Sequence, residues 1–183
     1  MNLLQRIAAA VTLSVAALTA GNAFVSQEQI ERAAIRAGMA VMTPEMEGTH
    51  LAAYPDTGGI WTICTGHTGG IKRGDRATAE ECAAYFQQDS ATVVDFMARR
   101  SKLGSVSLLC KVAMGDFGYN AGTGALGRSR LLALANAGDQ RAVADEFLRW
   151  RFVGGKDCAL KASNCAGIMV RRNLQRSLCM VDL

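Results

Sequence analysis

The stretch from Gly48 to Gly74 most constrains the fold, because it interrupts helical patterning on both sides with residues that helices exclude. Tyr54-Pro55-Asp56-Thr57-Gly58-Gly59 is turn chemistry that reverses the chain into Ile60-Trp61-Thr62-Ile63-Cys64. Gly66 and Gly69-Gly70 then close a second bend. β-Branched and aromatic residues bounded by glycine read as short strands, so residues 50–74 predict a small twisted sheet. Within Ile60–Cys64, alternation places Thr62 with Ile60 and Cys64. The face with Trp61 and Ile63 is the better core face, which leaves Thr62 toward an open side.

Helical signals surround this sheet. Ser26-Gln-Glu-Gln is a capping-box pattern opening a helix from Gln27 to about Met39. Thr43-Pro44 reads as the start of a second, short helix, since proline suits the first helical position. Glu47 would end it and Gly48 would terminate it. Thr78-Ala-Glu-Glu opens a helix from Ala79 to about Arg99, with Cys82, Phe86, Val93 and Phe96 spaced as one buried stripe. Further helices are expected at about 106–120, 129–136, 140–150 and 168–180, with Gly138 and Asp139 as stop and cap. The fold class is therefore α+β: a small sheet lobe joined by a long helix to a larger helical lobe. No internal repeat or low-complexity linker is present.

The first residues differ from the rest. Residues 7–25, IAAAVTLSVAALTAGNAFV, carry no charge, and Arg6 precedes them. Nineteen uncharged residues are about enough to span a bilayer as a helix. Alanine and small polar residues dominate, though, so insertion should be marginal. Two readings stay open: a cleaved signal peptide with Gly21-Asn22-Ala23 as the cleavage signal, or an anchor that later leaves the membrane intact. The division expected is an export segment over 1–25 and one domain over 26–183.

Charge is uneven. Residues 41–100 hold five basic and eight acidic side chains, and residues 101–183 hold twelve and six. An acidic lobe beside a basic one suits an anionic polymer, and it is equally what solubility requires. The basic residues are interspersed with acids and follow no nucleic-acid-binding motif, so no nucleic-acid partner is expected. Zinc is not expected either, because no C-x-x-C occurs and His50 and His67 stand apart. No cofactor is called for, and no cysteine has an evident general base beside it.

Glu47 and Asp56 lie nine residues apart across the turn, with Thr62 six further on. Two carboxyl groups flanking a bond are what glycoside hydrolysis uses, one to protonate the leaving oxygen and one to activate water. A carboxylate pair alone carries little, since surface carboxylates are common. The surrounding pattern carries more: Glu47-Gly48, Tyr54, Asp56, Gly58-Gly59, Thr62, then Gly66-His67-Thr68-Gly69. With FGYNAGTGALGRSRLLALANAGD, EFLRWRFVGGK and Arg171-Arg172, the chain over residues 30–181 resembles the phage-type lysozyme family, glycoside hydrolase family 24, and within it the signal-anchor-release endolysins. Cys64 stands where studied members have Gly, Arg130 replaces a small residue, and Gln175 stands where an acid is common.

The resemblance implies a lysozyme-like fold with the active-site cleft between the lobes. It also implies hydrolysis of the β-1,4 bond between N-acetylmuramic acid and N-acetylglucosamine in peptidoglycan. Glu47 would be the general acid, kept protonated by partial burial. Asp56 would stay ionised, and Thr62 would orient the water. Inversion is expected. Thr68, Tyr119 and Asn120 are candidate substrate contacts, with Tyr119 as core and Asn120 as a helix cap the alternatives. The rival functions are a lytic transglycosylase, or a non-catalytic wall-binding or membrane-tethered protein on the same fold. A monomer is expected, exported to the periplasm of a Gram-negative host and held at first in the inner membrane through residues 7–25.

Six cysteines in an exported chain read as a disulfide set with fifteen pairings possible, or as partly free and buried. Cys158 and Cys165 bracket a short loop that closes readily. The resemblance packs the helix of Cys110 on that of Cys179 and leaves Cys64 with Cys82. No cysteine precedes residue 64, so the export segment cannot exchange a disulfide, and control would fall to location and refolding.

Gly122-Thr-Gly124-Ala-Leu-Gly127 matches a dinucleotide fingerprint, but a helix precedes it and no βαβ unit surrounds it, so a helix-connecting turn is expected. His67 reads as a structural hydrogen-bonding group rather than a general base, His50 as exposed and Trp150 as core. Arg171 and Arg172 read either as glycan contacts or as inter-helix pairs.

Overall fold

The structure is a computed structural model that describes every residue except 22–23, 57, 103–104 and 182–183. Thr57 of the expected turn and most of the Gly21–Ala23 cleavage signal thus lie outside the described residues. The chain begins with helix α1 (Leu3–Gly21), followed by α2 (Gln27–Glu47). Strands β1 (His50–Pro55) and β2 (Trp61–Cys64) come next, then the 22-residue α3 (Ala79–Arg100). The helical lobe is completed by α4 (Leu108–Ala121), α5 (Thr123–Arg128), α6 (Arg130–Asn136), α7 (Gln140–Phe147) and α8 (Ala166–Met180). A small hairpin, β3 (Phe152–Val153) with β4 (Lys156–Asp157), projects between α7 and α8.

Both capping boxes form. The Ser26 and Thr78 hydroxyls accept from the N–H groups of Gln29 and Glu81, whose side chains accept from the cap N–H groups in return. At a rise of about 1.5 Å per residue, α3 is about 33 Å long, enough to connect the two lobes. Central to the helical lobe is α4, buried on every side from Leu109 to Gly118. An all-round apolar helix is expected there, but this one also buries Lys111 and Asp116. Lys111 Nζ donates to Glu31 on α2 at 2.6 Å and to the Lys102 carbonyl at 3.0 Å.

Two local expectations are corrected. First, α2 runs unbroken to Glu47, with Pro44 inside its last turn rather than at the start of a second helix. The proline deprives the Ala40 carbonyl of a donor, but Ala40 is exposed to water. Burial of Met39, Met42 and Thr43 on one continuous face holds the helix together. Second, the glycine-rich run at 122–127 is not a bare turn: residues 123–128 form α5, packed through the buried Leu126. The short hairpin at 152–157 was not anticipated.

Helix α1 packs mainly on α2 and also meets α4 and α8. Ile7 and Val11 are buried in the main core, while Leu13 on the opposite face is 70% exposed. Val11 and Val112 close over Gly38, where an added Cβ would lie 2.5 Å from a Val112 methyl and 3.0 Å from Val11. Arg6 pairs with Glu45 at 2.8 Å, so α1 and α2 run antiparallel.

Three disulfides join Cys64 to Cys82, Cys110 to Cys179 and Cys158 to Cys165. They tie the sheet to α3, α4 to α8, and the loop after β4 to the start of α8.

Candidate active site

The end of α2 and the β1–β2 turn face the helical lobe across a cleft of about 540 Å³. Glu47, Asp56, Thr62, Thr68, Tyr119 and Asn120 all line it, so every site residue expected from the sequence is brought to one place. Glu47 is the last residue of α2. Gly48 ends the helix at φ 75°, a left-handed value that favours glycine, and its N–H caps the Pro44 carbonyl.

The sheet fixes the other two. β1 and β2 pair antiparallel, with Tyr54 opposite Thr62 and Pro55 opposite Trp61. One oxygen of Asp56, Oδ1, accepts from the N–H groups of Gly58 and Ile60, both at 2.8 Å. Those bonds hold the turn and leave Oδ2 for the cleft. Thr62 donates its hydroxyl to the Ile60 carbonyl at 3.0 Å. Since a hydroxyl has one proton, what Thr62 can offer the cleft is a lone pair. Alternation fails at Cys64, whose φ of 58° turns it inward beside Ile63. Trp61, assigned to the core face, is only half-buried.

Behind Glu47 lies a buried polar network. Arg171 on α8 donates through Nη1 to Glu47 Oε1. Its Nε and Nη2 both donate to Asp116, each at 2.7 Å. Thr43 and Gln175 also donate to Asp116, at 2.9 and 2.8 Å. Arg172 donates to the Trp150 carbonyl, to Gln175 and to Asn120, each at 2.9 Å, and lies 5.0 Å above the Phe117 ring. Asn120 in turn reaches Glu47 Oε1 at 3.5 Å. Arg171 thus pairs α8 with α2 and α4, while Arg172 and Asn120 bond one another and both line the cleft.

Glu47 is partly buried, and its surroundings are polar. Its side chain keeps 30% of its surface exposed and is ion-paired. Burial works against the Arg171 charge, but Asp116 and Glu47 outweigh it and raise its proton affinity above the usual arginine range. Among the described residues no carboxylate pairs with Arg172, and burial, then the neighbouring Arg171, pull it down to about 10. Burial, then the negative charges of Glu47 and Asp56, raise Tyr54. Tyr119 is raised mainly by burial, and its hydroxyl donates to the Thr65 carbonyl at 2.8 Å.

The opposite wall is apolar: Trp150, Phe152, Val153 and Ile168. Trp150, expected as core, stacks edge-on against Phe117 at 4.8 Å while its other side lines the cleft. His67 lies just outside, bonded to Asp89 at 2.9 Å and stacked on Tyr85 at 4.1 Å, a structural position. His50 is exposed. Asp116 went unnoticed in the sequence, although an acid in the apolar run LLCKVAMGDFG was a usable signal.

The phage lysozyme family model matches residues 44–174, a span that contains Glu47, Asp56 and Thr62. The chain belongs to the phage lysozyme family. This phage-type lysozyme is 34% identical, over 136 residues, to the SAR-endolysins of Enterobacteria phages PA-2 and P21, covering 74% of the chain and 78% of each relative. Among solved structures, it resembles the muramidase domain of SpmX from Asticaccaulis excentricus with a TM-score of 0.69 at 26% identity, over 80% of this chain and 96% of that one. P22 lysozyme matches with a TM-score of 0.65 at 28% identity, over 78% and 94%.

Proposed function

We propose that this lysozyme is an endolysin whose Glu47, Asp56 and Thr62 hydrolyse the β-1,4 bond between N-acetylmuramic acid and N-acetylglucosamine. The observation that carries the reading is the convergence of these side chains on one cleft. Glu47 gives its proton to the glycosidic oxygen as the bond to the anomeric carbon breaks. Oε1 is held by Arg171 and Asn120, so the proton to be delivered belongs on Oε2. Asp56, with Oδ1 committed to the turn, uses Oδ2 to take a proton from water and to stabilise the oxocarbenium-like transition state. Thr62 accepts from that water and so aims it at the anomeric carbon. Attack from the far face inverts the centre, in keeping with the family. Thr68, Tyr119 and Asn120 contact the sugars, and the apolar wall receives their less polar faces. Peptidoglycan is the substrate, and the chain acts as a monomer.

Helix α1 supports a reading of where this happens. Its Leu3–Ala20 window has a mean hydropathy of 1.6 and is long and apolar enough to cross a membrane. It first tethers the exported chain to the inner membrane of a Gram-negative host, then leaves it intact and docks on α2 in the periplasm. The similar endolysins named for signal-anchor-release favour this over signal-peptide cleavage. N-terminal sequencing of the periplasmic protein tests it, and a chain starting at Phe24 would exclude intact release.

The chemical test is Glu47→Gln, which keeps the shape and removes the transferable proton. Clearing of outer-membrane-permeabilised cells should fall below detection. Retained clearing would refute Glu47 as the acid, and an anhydro-muramic product from the unmodified enzyme would refute hydrolysis.

A further inference from the structure

We propose that Asp116, remote from the cleft surface, is a positioning residue that answers the charge of Arg171 and so lets Glu47 carry the proton it must deliver. This rests on the reading of Glu47 as general acid. Asp116 is fully buried on α4 and shares its two oxygens among four donors. Oδ1 takes Thr43 and Arg171 Nη2, while Oδ2 takes Arg171 Nε and Gln175. Two of the three nitrogens of the Arg171 fork are therefore fixed, and only Nη1 is left to meet Glu47. A fork gripped this way cannot swing, so it presents Nη1 to the same carboxylate oxygen each time.

The charges make the stronger case. Arg171 and Arg172 are both buried, and among the described residues Arg172 donates to uncharged acceptors: the Trp150 carbonyl, Gln175 and Asn120. With Asp116 ionised, Arg171 is already neutralised and Glu47 meets a compensated pair. Without that charge, two buried guanidiniums would depend on Glu47 as their nearest anion, and it would be driven to the carboxylate form, which cannot act as an acid.

Other groups face Glu47 from each neighbouring element. Tyr119 comes from α4, and Tyr54 and Asp56 come from the sheet lobe. His50 lies 3.6 Å from where a Cβ on Gly48 would stand. On its own helix, Glu45 is paired outward with Arg6. None of these is hydrogen-bonded to Arg171, so among the described residues Asp116 is the carboxylate besides Glu47 that answers its charge.

The test is the pH profile of kcat/KM for Asp116→Asn, which keeps the shape and removes the charge together with the two hydrogen bonds accepted by the oxygen it replaces. Its alkaline limb should move roughly 1–3 pH units lower, the shift expected when a carboxyl meets an uncompensated guanidinium. A carboxyl-carbon NMR titration of Glu47 should move by the same amount without reference to activity. Thr43→Val is the packing control: it removes one donor to Asp116 and no charge, so it should lower stability and leave the limb in place.

If Asp116→Asn is too unstable to assay, Asp116→Asn with Arg171→Met removes both charges. Its Glu47 titration should then lie no lower than that of the unmodified enzyme. An unmoved limb in Asp116→Asn, with activity scaled equally at every pH, would make Asp116 merely structural and overturn the inference. A lowered titration in the double variant would do the same. Failure of the general-acid reading itself would show separately, as activity retained in Glu47→Gln.

Discussion

Replacing Ile7 and Leu13 by alanine, one at a time, separates the two environments in which α1 can reside. Both are large aliphatic residues on α1, Ile7 just after Arg6 and Leu13 near the middle. In a bilayer they are nearly equivalent, each contributing only a few tenths of a kcal/mol to insertion. In the folded protein they are opposites: Ile7 is 0% exposed and Leu13 is 70% exposed. Ile7→Ala removes three buried carbons from a site walled by the main core, which costs about 2–5 kcal/mol in lost transfer energy and cavity formation. Leu13→Ala removes atoms already in water and should change stability by no more than about 0.5 kcal/mol. For a chain of this length each kcal/mol corresponds to roughly 2–4 °C in Tm. A thermal melt of the purified full-length chain should therefore drop by at least about 4 °C for Ile7→Ala and by no more than about 2 °C for Leu13→Ala. Equal melting temperatures, or a larger loss for Leu13→Ala, would refute docking of α1 on the folded domain.

Gly38→Ala forces a methyl to within 2.5 Å of Val112 and should destabilise by about 1–3 kcal/mol in urea, whereas Gly167→Ala on α8, with no neighbour within 4 Å, should gain up to about 1 kcal/mol. Cys110 and Cys179 are 69 residues apart, and Cys158 and Cys165 only 7; replacing each pair by serine should cost about 4 and about 2–3 kcal/mol respectively on loop-entropy grounds, and a reversed order of denaturant midpoints would argue against native pairing. The Arg6–Glu45 pair is 45% exposed on each side, so Arg6→Ala should shift stability by less than about 1 kcal/mol; a loss comparable to that of Ile7→Ala would mean that α1 is held by its end rather than by its apolar face.

Much of this fold is written in local signals. Ser26 and Thr78 start helices where their capping boxes say, and Gly48 ends α2 because its φ of 75° favours glycine. The β1–β2 turn is likewise local, since Asp56 bonds the N–H groups of residues two and four further on. Such features need no knowledge of the rest of the chain. Pro44 shows where local reading fails: in isolation it starts a helix, but the face made by Met39, Met42 and Thr43 is continuous, and tertiary packing overrides one missing hydrogen bond. Asp116 and Arg171 fail for a similar reason. Their meaning lies in contact between α4 and α8, some 55 residues apart, and no spacing rule reports it. The hairpin at 152–157 is also illegible, because two-residue strands hold too few side chains to show a period.

The same continuity of α2 gives α1 a physical route to Glu47. Val11 meets α2 at Gly38, Arg6 meets it at Glu45, and Glu47 ends it two residues later. Pro44 removes a backbone bond from that last turn, so beyond the helix's own Gly48 N–H bond to Pro44 the turn depends on outside partners: Asp116 holding Thr43 and Arg171 holding Glu47. Both partners belong to helices that α1 also touches. The exposed Arg6–Glu45 pair is too weak to carry the coupling, whereas burial of Ile7 and Val11 contributes about 1.5–3 kcal/mol each. Removing α1 would expose the face of α2 around Gly38 and the flank of α4 at Val112. It would also loosen the packing that keeps Asp116 and Arg171 in register with the end of α2. On the proposed tethered route, an enzyme held through α1 would lack the support that sets Glu47, and docking of that helix would complete both the core and the site.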